Sequence, residues 1–381
     1  MSSVNPQSPS RILLVILSLS AGGAQRVVSE MANRWAAEGQ EIAILAFWGS
    51  EHDHYPLDPR IQRLSLDFWR HSPTPRQFLM SRAQLLFRVR KTVRAFNPDA
   101  VISFIDLINI IMITALAGTG IPLIISERID PRYHPISRTR SLARRLSYEY
   151  ASALVVQTDS VARWAKSIMP ASKIEVIPNF VRSLPEAHNS ADQREPDHPY
   201  ILAIGRLDRQ KGHDVLIRAF AMAEAAQAGW RLVILGEGPE RSNLERLAAD
   251  LGISNAVAMP GVVDEPAHWL YNARFFVLAS RYEGFPNALL EAMACGCAVI
   301  ATDCPSGPAD IIRNSVNGLL VPAEDVTALS NAMLTLMEDE ALRQRLGAQA
   351  LNVKTTFSQD AIMNQWETLI NKVMNRGGKP D

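Results

Sequence analysis

The chain predicts an α/β protein built from two doubly wound domains, and three observations carry that expectation. Short β-branched runs alternate with helix-like stretches over residues 11–177 and again over 200–302, the pattern of parallel sheets covered on both faces. A polar segment at 183–199, with three prolines, separates the two series and reads as a linker. At 381 residues the chain is long enough for two separate cores. The expected organisation is a first domain over 1–182, with 1–10 disordered, the linker at 183–199, and a second domain over 200–357.

Strands are expected in the first domain at 12–17, 42–47, 100–104, 123–126, 154–156 and 174–177. In the second they are expected at 200–204, 231–235, 256–259, 275–278 and 298–302. The first apolar run is too short for a signal peptide, and no Lys or Arg precedes Arg11, so it reads as a buried strand. Residues 101–125 contain a single charge, Asp106, and approach bilayer-spanning length. Gly118-Thr-Gly-Ile-Pro122 divides that run into strand, core helix and strand. Ligands of doubly wound sheets bind beyond the carboxyl ends of the strands, which here directs attention to a cleft between the domains.

Apolar content of 47% and charged content of 20% are those of a soluble globular protein. Net charge is zero but uneven: residues 1–190 carry 22 Lys and Arg against 15 Asp and Glu, and the remainder carries 17 against 24. A basic first half suits an anionic partner. A helix is expected over 74–96, carrying Arg76, Arg82, Arg88, Arg90, Lys91 and Arg94, with Leu79, Leu85, Leu86 and Val89 on its apolar side. A second basic stretch runs through Arg138, Arg140, Arg144 and Arg145 beside Leu142, Leu146 and Tyr148. Such helices are solvated faces or bind membrane surfaces and phosphates. Few aromatics are interleaved, so nucleic acid is not expected.

Three cysteines, Cys295, Cys297 and Cys304, argue against a secreted disulfide framework and suit a reducing cytoplasm. They lack a nearby fourth ligand and read as small buried residues rather than a zinc site. Glu51-His-Asp-His54 reads as an exposed loop. No Asp-x-Asp, the usual arrangement for holding a divalent ion on a diphosphate, occurs anywhere, so a diphosphate ligand would have to be met by a site without a metal ion.

Cations supply one. The strand at 200–204 runs into Gly205-Arg206-Leu-Asp-Arg-Gln-Lys211-Gly212, where Arg206 and Lys211 could neutralise a diphosphate through charge-assisted bonds. Gly236-Glu-Gly-Pro239 and Ser306-Gly-Pro-Ala-Asp310 likewise follow strands and open helices, with Ser306 a candidate N-cap. In the first domain Ser18-Leu-Ser-Ala-Gly22-Gly23 joins a strand to a helix beginning near Gln25, where backbone can approach an anion. It lacks the G-x-G-x-x-G of dinucleotide enzymes, and no acid ends the second strand to hold a ribose.

Residues 279–304 form the stretch around which the rest is organised. Glu283 lies in a Gly- and Pro-rich loop after a strand, and Glu291 follows eight residues on in a helix. Eight helical residues rise about 12 Å. That spacing is too long for two carboxylates flanking one bond and suits two contacts along an extended ligand.

Together, Gly22-Gly23, Gly205-Arg206 to Lys211-Gly212, Gly236-x-Gly-Pro239 and Glu283-x7-Glu291 resemble the GT-B-fold retaining glycosyltransferases of the family-4 kind, over 11 to about 373. The resemblance implies two Rossmann-like domains facing a central cleft, and a last helix (358–381) that crosses back to the first domain. Arg206 and Lys211 would grip the donor diphosphate, Glu291 the ribose hydroxyls, and Glu283 the sugar near its anomeric carbon. Amides around Phe285, Asn287, Ala288, Gly22 and Gly23 would line sugar and phosphate, Gly236 would belong to the same donor site, and the base would lie near Val262.

The implied reaction moves a hexose or N-acetylhexosamine from a nucleoside diphosphate sugar, UDP-linked, with retention and with no cofactor or metal. Ser-Glu-Arg-x-Asp-Pro and Cys-Pro-Ser-Gly-Pro-Ala-Asp look most like bacterial enzymes of surface polysaccharide assembly that extend polyprenyl-diphosphate-linked glycans. The implied place is cytoplasmic, peripheral on an anionic membrane, with Arg82, Arg88, Lys91 and Arg94 on the acceptor side. Arg128 departs from the pattern, since relatives often carry His there to orient the sugar. Competing expectations are a nucleotide-sugar epimerase on the same scaffold and a non-catalytic sugar-nucleotide-binding protein.

Overall fold

The computed structural model describes residues 10–67, 75–182, 198–263 and 265–377, without the side chains of 52, 75–80, 376 and 377. The expected disorder of 1–9, almost all of the expected linker, and the side chains of Arg76 and Leu79 lie outside the described residues. The chain divides into two compact units, residues 1–177 with 363–381, and residues 178–362.

The first unit holds a seven-stranded sheet of β1 (Arg11–Ile16), β2 (Glu41–Ala46), β3 (Gln62–Ser65), β4 (Ala100–Phe104), β5 (Leu123–Ser126), β6 (Ala153–Val156) and β7 (Ile174–Val176). Its order is β3-β2-β1-β4-β5-β6-β7, with every pair parallel. β1 is buried from Ile12 to Ile16, as a strand covered on both faces must be. The additional strand is β3, at the sheet edge. Its residues Gln-Arg-Leu-Ser are half-buried or exposed, so no apolar run marks it, and the strand shows only in its parallel pairing with β2.

Residues 101–125 resolve into β4, the helix Asp106–Leu116 and β5. Gly118 and Gly120, both at φ +73°, reverse the chain between the last two. No helix among the described residues is long and apolar enough to cross a membrane. Helix Pro75–Phe96 buries Leu85, Val89, Val93 and Phe96 and exposes Arg82, Arg88, Lys91 and Arg94, the division its periodicity requires.

The second unit holds β8 (Tyr200–Ile204), β9 (Arg231–Leu235), β10 (Val257–Gly261), β11 (Phe275–Leu278), β12 (Val299–Asp303) and β13 (Leu319–Pro322). They are parallel in the order β10-β9-β8-β11-β12-β13. Alternation along β8 feeds two cores: Ile201 and Ala203 enter one, Tyr200 and Leu202 the other. β13 is the unexpected strand here, an edge strand of four residues on which Pro322 is tolerated.

The last helix, Gln359–Gly377, belongs to the first unit from Met363 onward. Trp366 is fully buried and its ring lies 6.4 Å from that of Phe104. Trp35 donates Nε1–H to Glu367 at 3.3 Å, and Lys372 pairs with Glu175 at 2.5 Å.

Candidate functional site

In the second unit three loops leave the carboxyl ends of β8, β9 and β11 and pack against one another. Gly205 donates its amide to Leu235 O, Leu207 to Glu237 O, and Gly236 to Gly261 O. Gly236 sits at φ +144°, and a Cβ there would strike the Gly205 carbonyl oxygen. Gly238 is similarly pressed against the backbone of Leu207. Gly212, at φ +63°, has no room for a Cβ against Ala279 O. Glycine is therefore required for close stacking of loops, which the Gly-Arg and Gly-x-Gly-Pro spacings only suggested.

These loops bring Lys211 to Glu283. Lys211 Nζ lies 2.7 Å from Glu283 Oε1, and the same oxygen accepts from Ser280 Oγ at 2.6 Å. Glu283 is 4% exposed. A carboxylate so buried needs this ammonium and this hydroxyl to offset its lost hydration. Arg206 differs: it is 72% exposed in its side chain and is steered by Asp208 at 2.8 Å. Asp208 also caps the turn at Lys211 through its amide at 3.3 Å. One loop thus presents a half-buried ammonium and a solvent-facing guanidinium.

A further residue stitches the two loops together. Arg281 makes a bidentate pair with Asp214 at 2.8 and 2.9 Å, reaches Glu324 at 2.8 Å and donates to Arg209 O at 2.7 Å. Its amide donates to Gln210 O at 2.8 Å, while Gln210 Nε2 donates to Tyr282 O at 3.0 Å. Sequence reasoning passed over Arg281, because a basic residue beside Glu283 is indistinguishable from a surface charge until Asp214 is seen opposite. His213, first residue of helix His213–Met222, is buried beside the backbone of Gly205 and Arg206. Burial and the charge of Lys211 push its pKa down to about 4, so the imidazole is neutral at pH 7.

Helix Asn287–Ala294 begins only at Asn287, with Pro286 at its N-cap. The 12 Å expected between Glu283 and Glu291 from helical rise is thus corrected: residues 283–286 are loop, and only the second part of the interval is helical. Glu291 is buried on this helix. Asn287 Oδ1 accepts from Asn179 Nδ2 at 2.6 Å, so its side chain is committed within the protein. Phe285 is buried against Phe357, with ring centroids 5.7 Å apart, and supports the loop from beneath. Ala288 follows in the first turn, and Val262 is exposed just beyond β10.

Ser306 is not the N-cap of the next helix. It sits at φ +66°, and Gly307 caps helix Pro308–Ile311, its amide donating to Asp310 Oδ2 at 3.1 Å. Just before Ser306, Pro305 O accepts from the Glu283 amide at 3.3 Å. The Ser306 backbone absorbs that approach.

In the first unit, Gly22 and Gly23 follow β1, and helix Gly23–Ala37 starts two residues before the expected Gln25. The Gly22 amide is less available than the sequence suggested, since it donates to Tyr55 Oη at 3.2 Å, and Tyr55 donates back to Gly22 O at 3.1 Å. The Gly23 amide remains at the helix N-terminus.

At the carboxyl end of β5, Arg128 lies over the Phe104 ring at 5.6 Å, and desolvation lowers its pKa to about 10. Its neighbour Glu127 is buried, and loss of hydration raises it to about 7, against the stabilising bond donated by Tyr148 Oη at 2.6 Å. Asn109 extends this network, donating to Tyr148 Oη at 3.2 Å and Ser126 O at 3.1 Å and accepting from Ser103 Oγ at 2.7 Å. Ile105, at φ +75°, turns the chain from β4 into the helix bearing Asp106 and Asn109. The exposed cations Arg82, Arg88, Lys91 and Arg94 stand on helix Pro75–Phe96 of the same unit.

Among the described residues no group of three or more His, Cys, Asp and Glu is placed to hold a metal ion. Asp53 of the Glu51–His54 loop is paired with Arg63 at 2.8 Å. Burial pushes the thiols of Cys295 and Cys304 up to about 11 and about 12, and that of Cys297 higher still.

Comparisons with known proteins agree with this architecture. Residues 22–179 match the Glycosyl transferase 4-like domain and residues 186–353 match Glycosyl transferases group 1. The chain is 30% identical over 367 residues to a Campylobacter jejuni protein, covering 96% of this chain and 99% of that one. That relative is named as the GalNAc-alpha-(1->4)-GalNAc-alpha-(1->3)-diNAcBac-PP-undecaprenol alpha-1,4-N-acetyl-D-galactosaminyltransferase. The lipopolysaccharide core biosynthesis glycosyltransferase LpsE of Rhizobium meliloti is 31% identical over 239 residues, 62% of this chain and 69% of its own. Among solved structures, sucrose-phosphate synthase from Thermosynechococcus elongatus superposes with a TM-score of 0.82 at 22% identity, covering 96% of this chain and all of the other. Anabaena HepE in complex with UDP does so at 0.77 and 17%, covering 95% and 100%. With two glycosyltransferase domains matched in series and a relative aligned along almost its whole length, the chain belongs to the GT-B glycosyltransferases of the family-4 kind.

Proposed function

We propose that this glycosyltransferase transfers a hexose or N-acetylhexosamine, with retention, from a nucleoside diphosphate sugar, UDP-linked, to a polyprenyl-diphosphate-linked glycan. The observation that carries the reading is the Lys211–Glu283 pair beside the solvent-facing Arg206, on loops leaving β8 and β11. Two cations on one loop suit a diphosphate, and Lys211 is already held by the residue assigned to the sugar. Support for the acceptor class comes from the names of two Campylobacter jejuni relatives, 30% and 28% identical, which both act on undecaprenol-diphosphate-linked glycans.

In this reading the bond from C1 to the donor diphosphate breaks, and the acceptor oxygen bonds to C1 on the same face. The acceptor proton passes to the departing phosphate oxygen. Arg206 and Lys211 stabilise the charge that builds on the diphosphate, an effect that strengthens as bound donor and acceptor displace water from the exposed Arg206. Glu283 orients Lys211 and the sugar, Glu291 holds the ribose hydroxyls, and the loop at Val262 flanks the base. Divalent metal is not required, because the two cations do its electrostatic work. Arg82, Arg88, Lys91 and Arg94 bind the acceptor diphosphate from an exposed helix face, on the cytoplasmic side of the membrane.

The test is thermal stabilisation by UDP-, GDP- and ADP-sugars and NAD in the presence of EDTA. A ligand at 100 times its Kd adds about 2.7 kcal/mol, a readily visible shift. Stabilisation by one UDP-sugar is expected, followed by transfer to a lipid-linked acceptor with an anomeric product of unchanged configuration by NMR. Conversion of the sugar nucleotide without acceptor would favour an epimerase instead, and stabilisation by NAD alone would overturn the reading.

A further inference from the structure

Beyond the last residue of β11 the backbone is held at every residue up to Glu283. Ala279 O is closed over by Gly212, whose position has no room for a Cβ. Ser280 O accepts from Thr302 Oγ1 at 2.6 Å, and the same hydroxyl lies 3.4 Å from Leu278 O. The Arg281 amide donates to Gln210 O at 2.8 Å, Gln210 Nε2 donates to Tyr282 O at 3.0 Å, and the Glu283 amide donates to Pro305 O at 3.3 Å. Thr302 belongs to β12, the sheet neighbour of β11, so its hydroxyl ties together the carboxyl ends of adjacent strands. Ser280 and Thr302 are 0% and 1% exposed, and water has no access to them.

The Glu283 carboxylate is divided by its contacts. Oε1 receives the Ser280 hydroxyl at 2.6 Å and the Lys211 ammonium at 2.7 Å. Oε2 has no hydrogen-bond partner among the described residues, yet it is not sealed from solvent. The last torsion of a glutamate side chain is broad, so one donor would leave the carboxylate plane free to turn. Donors arriving from different loops fix it, and a bond this short to a charged oxygen is strong. Offsetting burial alone would be met by donors spread over both oxygens. Here they converge on one and leave the other open.

We propose that Ser280 and Thr302 are positioning residues for glycosyl transfer. Thr302 sets the Ser280 backbone, the Ser280 hydroxyl sets the plane of the Glu283 carboxylate, and Oε2 is thereby presented to accept the hydrogen of a sugar hydroxyl. Both residues are buried too deeply to touch the sugar themselves. The inference rests on the reading that places Glu283 at the sugar, and adds the residues that decide which of its oxygens is used. Misplacing such a contact by about 1 Å can cost about 100-fold in rate.

The experiment measures UDP release from UDP-glucose, UDP-galactose and their N-acetylated amino-sugar counterparts, with a polyprenyl-diphosphate-linked glycan as acceptor. Melting temperatures of the full chain and each variant show that all are folded. Ser280→Ala is expected to lower kcat about tenfold and to change the donor KM less than about threefold. Thr302→Val keeps the shape but not the hydroxyl and should lower kcat about fivefold, whereas Thr302→Ser, which keeps the hydroxyl, should stay within about twofold. Placed in a Glu283→Ala background, Ser280→Ala should change the residual rate less than about twofold, because nothing is left for it to position. An undiminished loss in that background, or no slowing by Ser280→Ala alone, would overturn the positioning role and leave Glu283 at the sugar. Full turnover by Glu283→Ala, or no UDP release by the unaltered chain, would overturn the underlying reading as well.

Discussion

Glu283 Oε1 receives both the Lys211 ammonium at 2.7 Å and the Ser280 hydroxyl at 2.6 Å, so two loops that are 72 residues apart share one carboxylate oxygen. The side chains are 6% and 18% exposed for Glu283 and Lys211. In such surroundings the ion pair acts as one unit, and its members should not contribute independently.

Glu283→Gln is therefore expected to lower kcat by about 100-fold or more while Ser280 keeps its partner and the melting temperature falls little. Lys211→Met should be the more destabilising change, by about 3 kcal/mol, because it leaves a buried carboxylate without its cation. The double variant should lose less than the sum of the two. Steady-state kinetics and denaturant unfolding of the three proteins measure both; additive losses would show that the pair is not coupled.

Arg281 holds the same loops from the other side through Asp214. Arg281→Lys keeps the charge but loses the planar two-pronged geometry, so the donor KM should rise about tenfold with a smaller change in kcat. Asp214→Asn should produce the same split. Equal falls in kcat and kcat/KM would mean that Arg281 touches the reacting atoms instead.

At Gly236 the backbone itself is decisive. Gly236→Ala puts a methyl group against the Gly205 carbonyl at φ +144°, and should cost about 1–3 kcal/mol in unfolding free energy. Gly39, also at positive φ but with open space around the added Cβ, is the control; its replacement by Ala should cost less.

Glu127 supplies a pH signature. Its carboxyl titrates near 7 in the folded chain against an ordinary value of 4.5, so between those values the folded state binds more protons than the unfolded one. Its contribution to stability is fully present below pH 4.5 and is lost as pH rises through 7. Glu127→Gln cannot titrate, and its stability should lack that decline. Urea unfolding across pH 5 to 8 on both proteins measures the difference, and parallel curves would show that Glu127 does not titrate in this range.

Much of the fold was legible because parallel strands covered on both faces leave apolar records: β1, β4, β5 and β11 are buried apolar runs broken only by Arg11 at the start of β1 and by Ser103 and Ser126. The edge strands β3 and β13 left no such record, since half their surface meets solvent and pairing rather than burial defines them. That Gly205, Arg206, Lys211, Gly236 and Glu283 stand on loops at strand ends was legible for a related reason. Glycine at a strand end and charge in an apolar context are costly in isolation and so point to a local requirement.

Other features belonged to the tertiary structure alone. Arg281 opposite Asp214, Tyr55 on Gly22, and Ser306 rather than Gly307 outside the helix cap all depend on which loops meet, and contact between distant segments is not written in local spacing. The two basic stretches show the same division. Their sequences announce an amphipathic helix, but only packing decided that Arg140 and Arg144 turn inward to Asp106 and Glu127 while Leu142, Leu146 and Tyr150 face out. Periodicity determines that a helix has two faces; the neighbours against which it packs determine which face is buried.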